Sequence, residues 1–300
     1  MIGSSEAQVL APPGIHRSPG TRSMWSAIPA ALLVVGAIGF PLIGLVGVAL
    51  QENTIGAHAF REINFIHVRR LISDPFVWVI FARTFRVTAV ATLLAVILAY
   101  PAAWHLSRSS PRIRRILFLL LMSPLLVSIL ARLQGWMILL GPNGMIPKAL
   151  NLLGLSVPPR GLIGTEGAIV VGLLHLLVPF VILNLDVAFR GIDDSWVMAA
   201  RDLGASGLAL FWRVLFPLTL GGLIRAASAS FALGVSIYAT PALLGSSVRP
   251  VVSTLIYQRA LITINWPGAS ILAAILVLLA VLLISGSSWI VSARFEAWRQ

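Results

Sequence analysis

Six stretches of this chain are long and apolar enough to cross a bilayer, which removes most of the folds open to 300 residues. A hydrocarbon core about 30 Å thick takes roughly 20 residues of helix. Trp25 to Leu50, Phe76 to Leu106, Ile113 to Leu140, Gly164 to Phe189, Leu218 to Gly245 and Ala269 to Val291 all reach that length. They are rich in Leu, Val, Ile and Ala without sustained alternation of polar and apolar residues, so they read as helices and not as barrel strands. The expected fold is an all-α integral membrane protein with six transmembrane helices. Pro101, Pro124 and Pro179 are its candidate kinks.

Composition agrees. Apolar residues make up 58% of the chain and charged residues 11%, against about a quarter charged in soluble domains. The net charge of +12 comes from 22 basic residues of which all but Lys148 are arginine, scattered between apolar blocks. No basic domain exists to grip a nucleic acid, so nucleic acid is excluded as a partner and the lipid bilayer is the surrounding medium. Without cysteine the chain has no disulfide, thiolate metal site or thiol nucleophile. His175 lies in an apolar run with Asn184 nine residues on, which reads as a hydrogen-bonded interhelical histidine; no metal site is expected.

Basic residues near span ends set orientation. With the N-terminus cytoplasmic, 11 of them fall on that side and 7 on the other. Residues 1–24, rich in Pro, Gly and Ser, then form a disordered cytoplasmic N-terminus, and residues 25–50 a retained first span and not a cleavable signal. Residues 51–75 form an extracytoplasmic loop, 76–293 a core of five further spans, and 294–300 a cytoplasmic tail, so both termini are cytoplasmic. The cytoplasmic loop 190–217 inside that core carries the most specific pattern.

In this loop Asp193 or Asp194 can cap a short helix, and Ala199 and Ala200 are small enough for close approach. Gly204 can take the left-handed conformation that ends that helix. A second helix is expected from Ser206, with Leu208, Phe211, Trp212 and Leu215 as an apolar stripe, before Pro217 breaks the chain into the fifth span.

The order Ala199, Ala200, Gly204, Val214-Leu215-Phe216-Pro217 resembles the coupling loop of permease subunits of binding-protein-dependent ABC importers. Three further segments are similar to the polyamine (spermidine/putrescine) permeases of that superfamily. They are Arg108-Ser109-Ser110-Pro111-Arg112 with Leu119 to Leu130, Gly135 to Gly144, and Thr240-Pro241-Ala242-Leu243-Leu244-Gly245. The resemblance covers roughly Phe76 to the C-terminus and implies a type I importer permease bundle in the bacterial inner membrane.

It also implies that Asp194, Ala199, Ala200, Arg201, Asp202, Gly204, Ala205, Phe211 and Pro217 serve coupling to an ATPase subunit. Met198 stands where the family usually has Glu, and Gly221 where many relatives have proline. The chain itself lacks the GxxxxGK frame of a phosphate-binding loop, so it is not expected to be an enzyme or to bind a cofactor. ATP would be used by a partner dimer of ATP-binding subunits. A second permease subunit, either a different chain or a copy, and an extracytoplasmic solute-binding protein complete the implied partners. The implied solute is small and polar, of polyamine type.

Candidate residues of the translocation path are Arg132, Ser236, Tyr238 and Thr240, polar positions within spans where charge is expensive and hydroxyls can meet a solute. Arg225 and Asp186 lie nearer the cytoplasm and read as span-end or interhelical partners, and Trp136 as an interfacial anchor. Two rival classes remain. An ion-gradient-driven secondary transporter would show repeats and paired broken helices with buried acids; an intramembrane hydrolase would need a nucleophile with a base in reach.

Overall fold

The computed structural model describes residues 33, 36–37, 39–50, 66–246 and 249–296, with side chains at 66, 67 and 288–296 excepted. The expected disordered residues 1–24 lie outside them, as do most of the outer loop 51–75 and the last residues of the tail. The chain divides after Gly44, and the described residues of the first unit are helical.

Helix α1 (Gly39–Ala49) is a shorter apolar helix, the described part of the expected first span. It is followed by α2 (Ile66–Ile72), α3 (Pro75–Arg108), α4 (Pro111–Leu126), α5 (Ile129–Leu140), α6 (Met145–Leu152), α7 (Glu166–Arg190), α8 (Asp194–Asp202) and α9 (Gly207–Leu210). A π-helical turn (Phe211–Leu215) leads into α10 (Phe216–Ser236), then come α11 (Ala239–Leu244), α12 (Val252–Tyr257), a second π-turn (Gln258–Ile262) and α13 (Trp266–Glu296). No strand occurs among the described residues.

Four helical runs are long and apolar enough to cross a membrane: α3, α7, Gly207–Ser236 and Trp266–Ser287. A fifth crossing exists if the bent pair α4 and α5–α6 counts as one. Four of the six expected spans are thus seen as long apolar helices or runs, the third as the bent pair, and the first lies mostly outside the described residues.

Two expected spans are broken. The third turns by 89° between Leu126 and Ile129, and the fifth is interrupted at Ile237, whose backbone is extended. A broken helix in lipid leaves carbonyls that water cannot reach, so something in the protein must bond them. Arg132 donates to the Pro124 carbonyl at 2.7 Å, and Ser253, from α12, donates to the Ile237 carbonyl at 3.0 Å. Each break is thus closed by one side chain from beyond it.

Pro217 does the opposite of what the sequence suggests. It sits in the first turn of α10, within a continuous 30-residue helix from Gly207. Proline gives no N–H and its ring crowds the preceding turn; the wider π-turn immediately before it takes up that crowding. Pro101 and Pro179 also lie inside uninterrupted helices.

The core of the bundle is α3 against α7 with α10 across both. Ala91, Ala95, Ala99 and Ala103 recur at four-residue spacing on α3, all fully buried, and meet Leu177, Val181 and Leu185 of α7. Small side chains let helix backbones approach closely, and in lipid that packing replaces the hydrophobic effect as the source of association. Glycines mark the closest approaches: a Cβ on Gly222 would lie 2.3 Å from the Ala188 Cβ, and one on Gly234 would lie 2.7 Å from the Thr88 methyl. A second cluster joins Val77, Ile80 and Phe81 of α3 to Val252, Leu255, Ile271 and Leu272.

Helix α3, at 34 residues, is about 51 Å long and outruns a core about 30 Å thick. The part from Arg86 to Arg108 is enough to cross, so Arg83 and Arg86 need not sit in lipid. They pair with Glu166 in the first turn of α7, Arg86 at 2.6 Å and Arg83 at 3.4 Å. Arg83 also donates to the Pro250 carbonyl at 3.2 Å.

Candidate coupling surface and translocation path

Asp193 supplies the cap of α8, its carboxylate accepting the Ser195 N–H at 2.9 Å. That bond holds the exposed Asp193 carboxyl below its ordinary value. The helix then ends in a Schellman turn. Gly204 stands at φ +82°, its N–H donates to the Arg201 carbonyl at 2.8 Å, and the Ala205 N–H reaches the Ala200 carbonyl at 2.9 Å. Ala200 and Ala205, joined by that bond, both pack on Val197, Leu210 and Leu215. The small residues and the glycine are therefore parts of one turn.

The apolar stripe divides differently from the expectation. Phe211 and Leu215 turn inward, but Leu208 and Trp212 face out. Leu210 is buried in their place, and the π-turn that follows puts Leu215, five residues on, against the same cluster. Large apolar side chains flank the turn, with Trp196 60%, Met198 65%, Leu203 88%, Leu208 72% and Trp212 57% exposed. Ala199, Arg201 and Asp202 are exposed beside them. Neither Arg201 nor Asp202 has an ion-pair partner among the described residues, whereas Asp194 pairs with Arg108 of α3.

Above this loop, Asp186 is 3% exposed, and its Oδ2 receives both Arg114 at 2.8 Å and Arg190 at 2.9 Å. Through Oδ2 it ties α4 to α7, as an interhelical partner. Arg225 is exposed.

The four path candidates do not form one cluster. Arg132 is turned to the Pro124 carbonyl, and no hydrogen bond among the described residues joins it to the other three. The Ser236 hydroxyl bonds back to the Leu233 carbonyl at 2.8 Å. Thr240 is buried, a position where a Cβ on Gly172 would lie 2.6 Å from its methyl. Tyr238, at the break, stacks on Tyr257 with ring centroids 4.4 Å apart. Beside this break a small cleft is lined by Thr84, Thr88, Ile237, Pro241 and Ser253.

Trp136, expected as an interfacial anchor, is half-buried and donates its indole N–H to His175 Nδ1 at 3.0 Å. The indole thus has an acceptor inside the bundle, and His175 is an interhelical hydrogen-bonding residue as its apolar setting suggested. The described residues contain no group of ligands suited to a metal ion.

Tyr257, Glu166 and the Arg108–Asp194 pair were not visible beforehand. Their partners are far apart in sequence, and only the spacing Tyr100, Trp104, Arg108 carried a signal, as one helix face.

The family model described as "Binding-protein-dependent transport system inner membrane component" matches residues 91–296. The chain belongs to this family. Among curated relatives, the spermidine/putrescine transport system permease protein PotB of Haemophilus influenzae is 32% identical over 65% of this permease and 69% of its own length. The PotB of Escherichia coli is 28% identical over 70% and 77%. The molybdenum transport system permease protein ModB of Mycobacterium bovis is 26% identical over 87% and 92%. Among solved structures, a bacterial alginate ABC transporter in complex with its periplasmic protein has a chain that matches with TM-score 0.67 at 15% identity, covering 90% of the permease and 96% of that chain. The MetNI methionine ABC transporter in an inward-facing conformation gives 0.55 at 22% identity over 74% and 98%. The fold is that of the membrane-spanning part of ABC importers, and the chain is a multi-pass inner-membrane permease of polyamine-transporter type.

Proposed function

We propose that this permease forms one half of the pore of an ABC importer for a small polyamine-like cation, driven by a separate ATP-binding subunit that docks on the loop from Asp193 to Trp212. The exposed apolar side chains flanking the Gly204 turn carry this reading. Five large apolar side chains beside a rigid Schellman turn form a surface that water does not favour and that the lipid core cannot cover while Arg201, Asp202 and Arg213 stand among them. Met198 is one of them where relatives commonly place a charge, so contact with the ATPase at that point is apolar. Loop and termini face the cytoplasm in this reading, and the Arg83, Arg86 and Glu166 end faces the extracytoplasmic binding protein.

The PotB relatives favour spermidine or putrescine as solute. The stacked Tyr238–Tyr257 pair at the break in the fifth span offers aromatic faces suited to an ammonium group. A second permease subunit covers the pore's other side.

Reconstitution with the ATP-binding subunit, sister permease and receptor tests the proposal. Labelled spermidine should enter vesicles only with ATP present. Uptake by this chain alone, driven by an ion gradient, would instead establish a secondary transporter.

A further inference from the structure

We propose that Tyr100, Trp104 and Arg108, on one face of the last turns of α3, form the strut through which the loop moves the core, and that Asp194 belongs to this strut and not to the ATPase-facing surface. The inference rests on the coupling role of the loop. Four-residue spacing places the three side chains in a row along α3, and each holds a different segment.

Arg108 pairs with Asp194 in the first turn of α8, and its guanidinium lies 4.6 Å from the centre of the Trp104 ring. Trp104 packs on the Val197, Leu210 and Leu215 cluster beneath the Schellman turn and edge-on against Phe189 of α7 at 5.3 Å. Tyr100 stands edge-on to Phe189 at 5.0 Å and to Phe211 of the π-turn at 5.2 Å. Its hydroxyl meets Thr219 Oγ1 at 2.8 Å; since Thr219 gives its own proton to the Leu215 carbonyl, the tyrosine is the donor. Both halves of the loop and the end of α7 therefore converge on one row of α3.

Close-packed rings transmit displacement because they have few alternative rotamers and no space to yield. The upper members of the row are buried or half-buried, and the Ala91 to Ala103 ridge continues along the same helix into the α7 contact. Arg108 suits its place in a way lysine does not: a planar guanidinium can stack on an indole face while pairing with a carboxylate. Asp194, so engaged, leaves the outward surface to Trp196, Met198, Leu203 and the free charges Arg201 and Asp202.

Charge exchange in the assembled transporter tests this. In proteoliposomes holding the complete complex, Arg108→Asp and Asp194→Arg should each lower solute taken up per ATP hydrolysed, by up to about fivefold as for a partly exposed pair. The double exchange should return the ratio to within about twofold of wild type. Arg108→Lys should fall between, and Trp104→Phe should keep more coupling than Trp104→Leu. If the tryptophan variants fail to assemble, the exchange pair alone decides. Single variants with the wild-type ratio, or a double variant as poor as the singles, would overturn the strut. A wild-type complex whose uptake is independent of ATP would instead refute the coupling reading on which it stands.

Discussion

At Gly204 the backbone sits at φ +82° and a Cβ placed there would touch nothing within 4 Å. Replacement therefore meets no steric neighbour, and the whole penalty is the left-handed backbone, roughly 1–2 kcal/mol and more for a β-branched residue. Gly204→Val should leave the chain inserted and the ATPase bound and active while uptake falls at least tenfold, measured as transport against hydrolysis in the same vesicles. Gly204→Asn, which tolerates this conformation, should retain most uptake. The turn was legible in advance because every part of it is local: a cap, two alanines and a glycine within a dozen positions. Asp194 shows the limit of that legibility. As a first-turn acid it fits a helix start equally well whether it faces a partner protein or Arg108, and only the folded chain brings Arg108 to it.

Among the elements, the crossing of α7 and α10 at Ala188 and Gly222 allows no more atoms, with 2.3 Å between the Ala188 Cβ and any Cβ added at Gly222. Gly222→Ala should lower thermal stability by about 1–3 kcal/mol, the usual range for overpacking. Adding Ala188→Gly should recover most of that loss in a melting assay. The apolar stretches announced these helices through length alone, and their breaks stayed hidden for a physical reason. Proline is a partial guide: Pro124 lies in the last turn before the bend at Val127–Ser128, but Pro101, Pro179 and Pro217 lie in continuous helices, and the break at Ile237 has no proline of its own. A break is allowed where a donor arrives to take the freed carbonyl, and Arg132 and Ser253 supply one each. Ser253 belongs to a helix whose position no local pattern reveals. Of the expected loop stripe, Phe211 and Leu215 turn inward while Leu208 and Trp212 face out, and Leu210 joins the buried face five residues before Leu215 across the π-turn.

For the molecule as a whole, the natural lack of cysteine makes orientation directly measurable. A single cysteine introduced at Met198 should react with a membrane-impermeant maleimide only after the cells are opened, and one at Arg249 should react in intact spheroplasts. Reaction at Met198 from outside would invert the arrangement and remove the coupling surface from the ATPase. Composition was enough to place the chain in a bilayer, and six of the scattered arginines, Arg83, Arg86, Arg108, Arg114, Arg132 and Arg190, are ion-pair or carbonyl partners that join helices or close a break.

The unbroken run from Gly207 to Ser236 carries a further consequence. Thirty residues of helix make a rod about 45 Å long, with the π-turn and Pro217 inside it and no break between the loop and Ser236. A tilt of only about 5° at the loop end would swing the far end by about 4 Å, more than the width of a water molecule. The stacked tyrosines stand just past the Ile237 break where that rod stops, so in the proposed cycle a small rocking at the loop would reach them without any helix having to unwind.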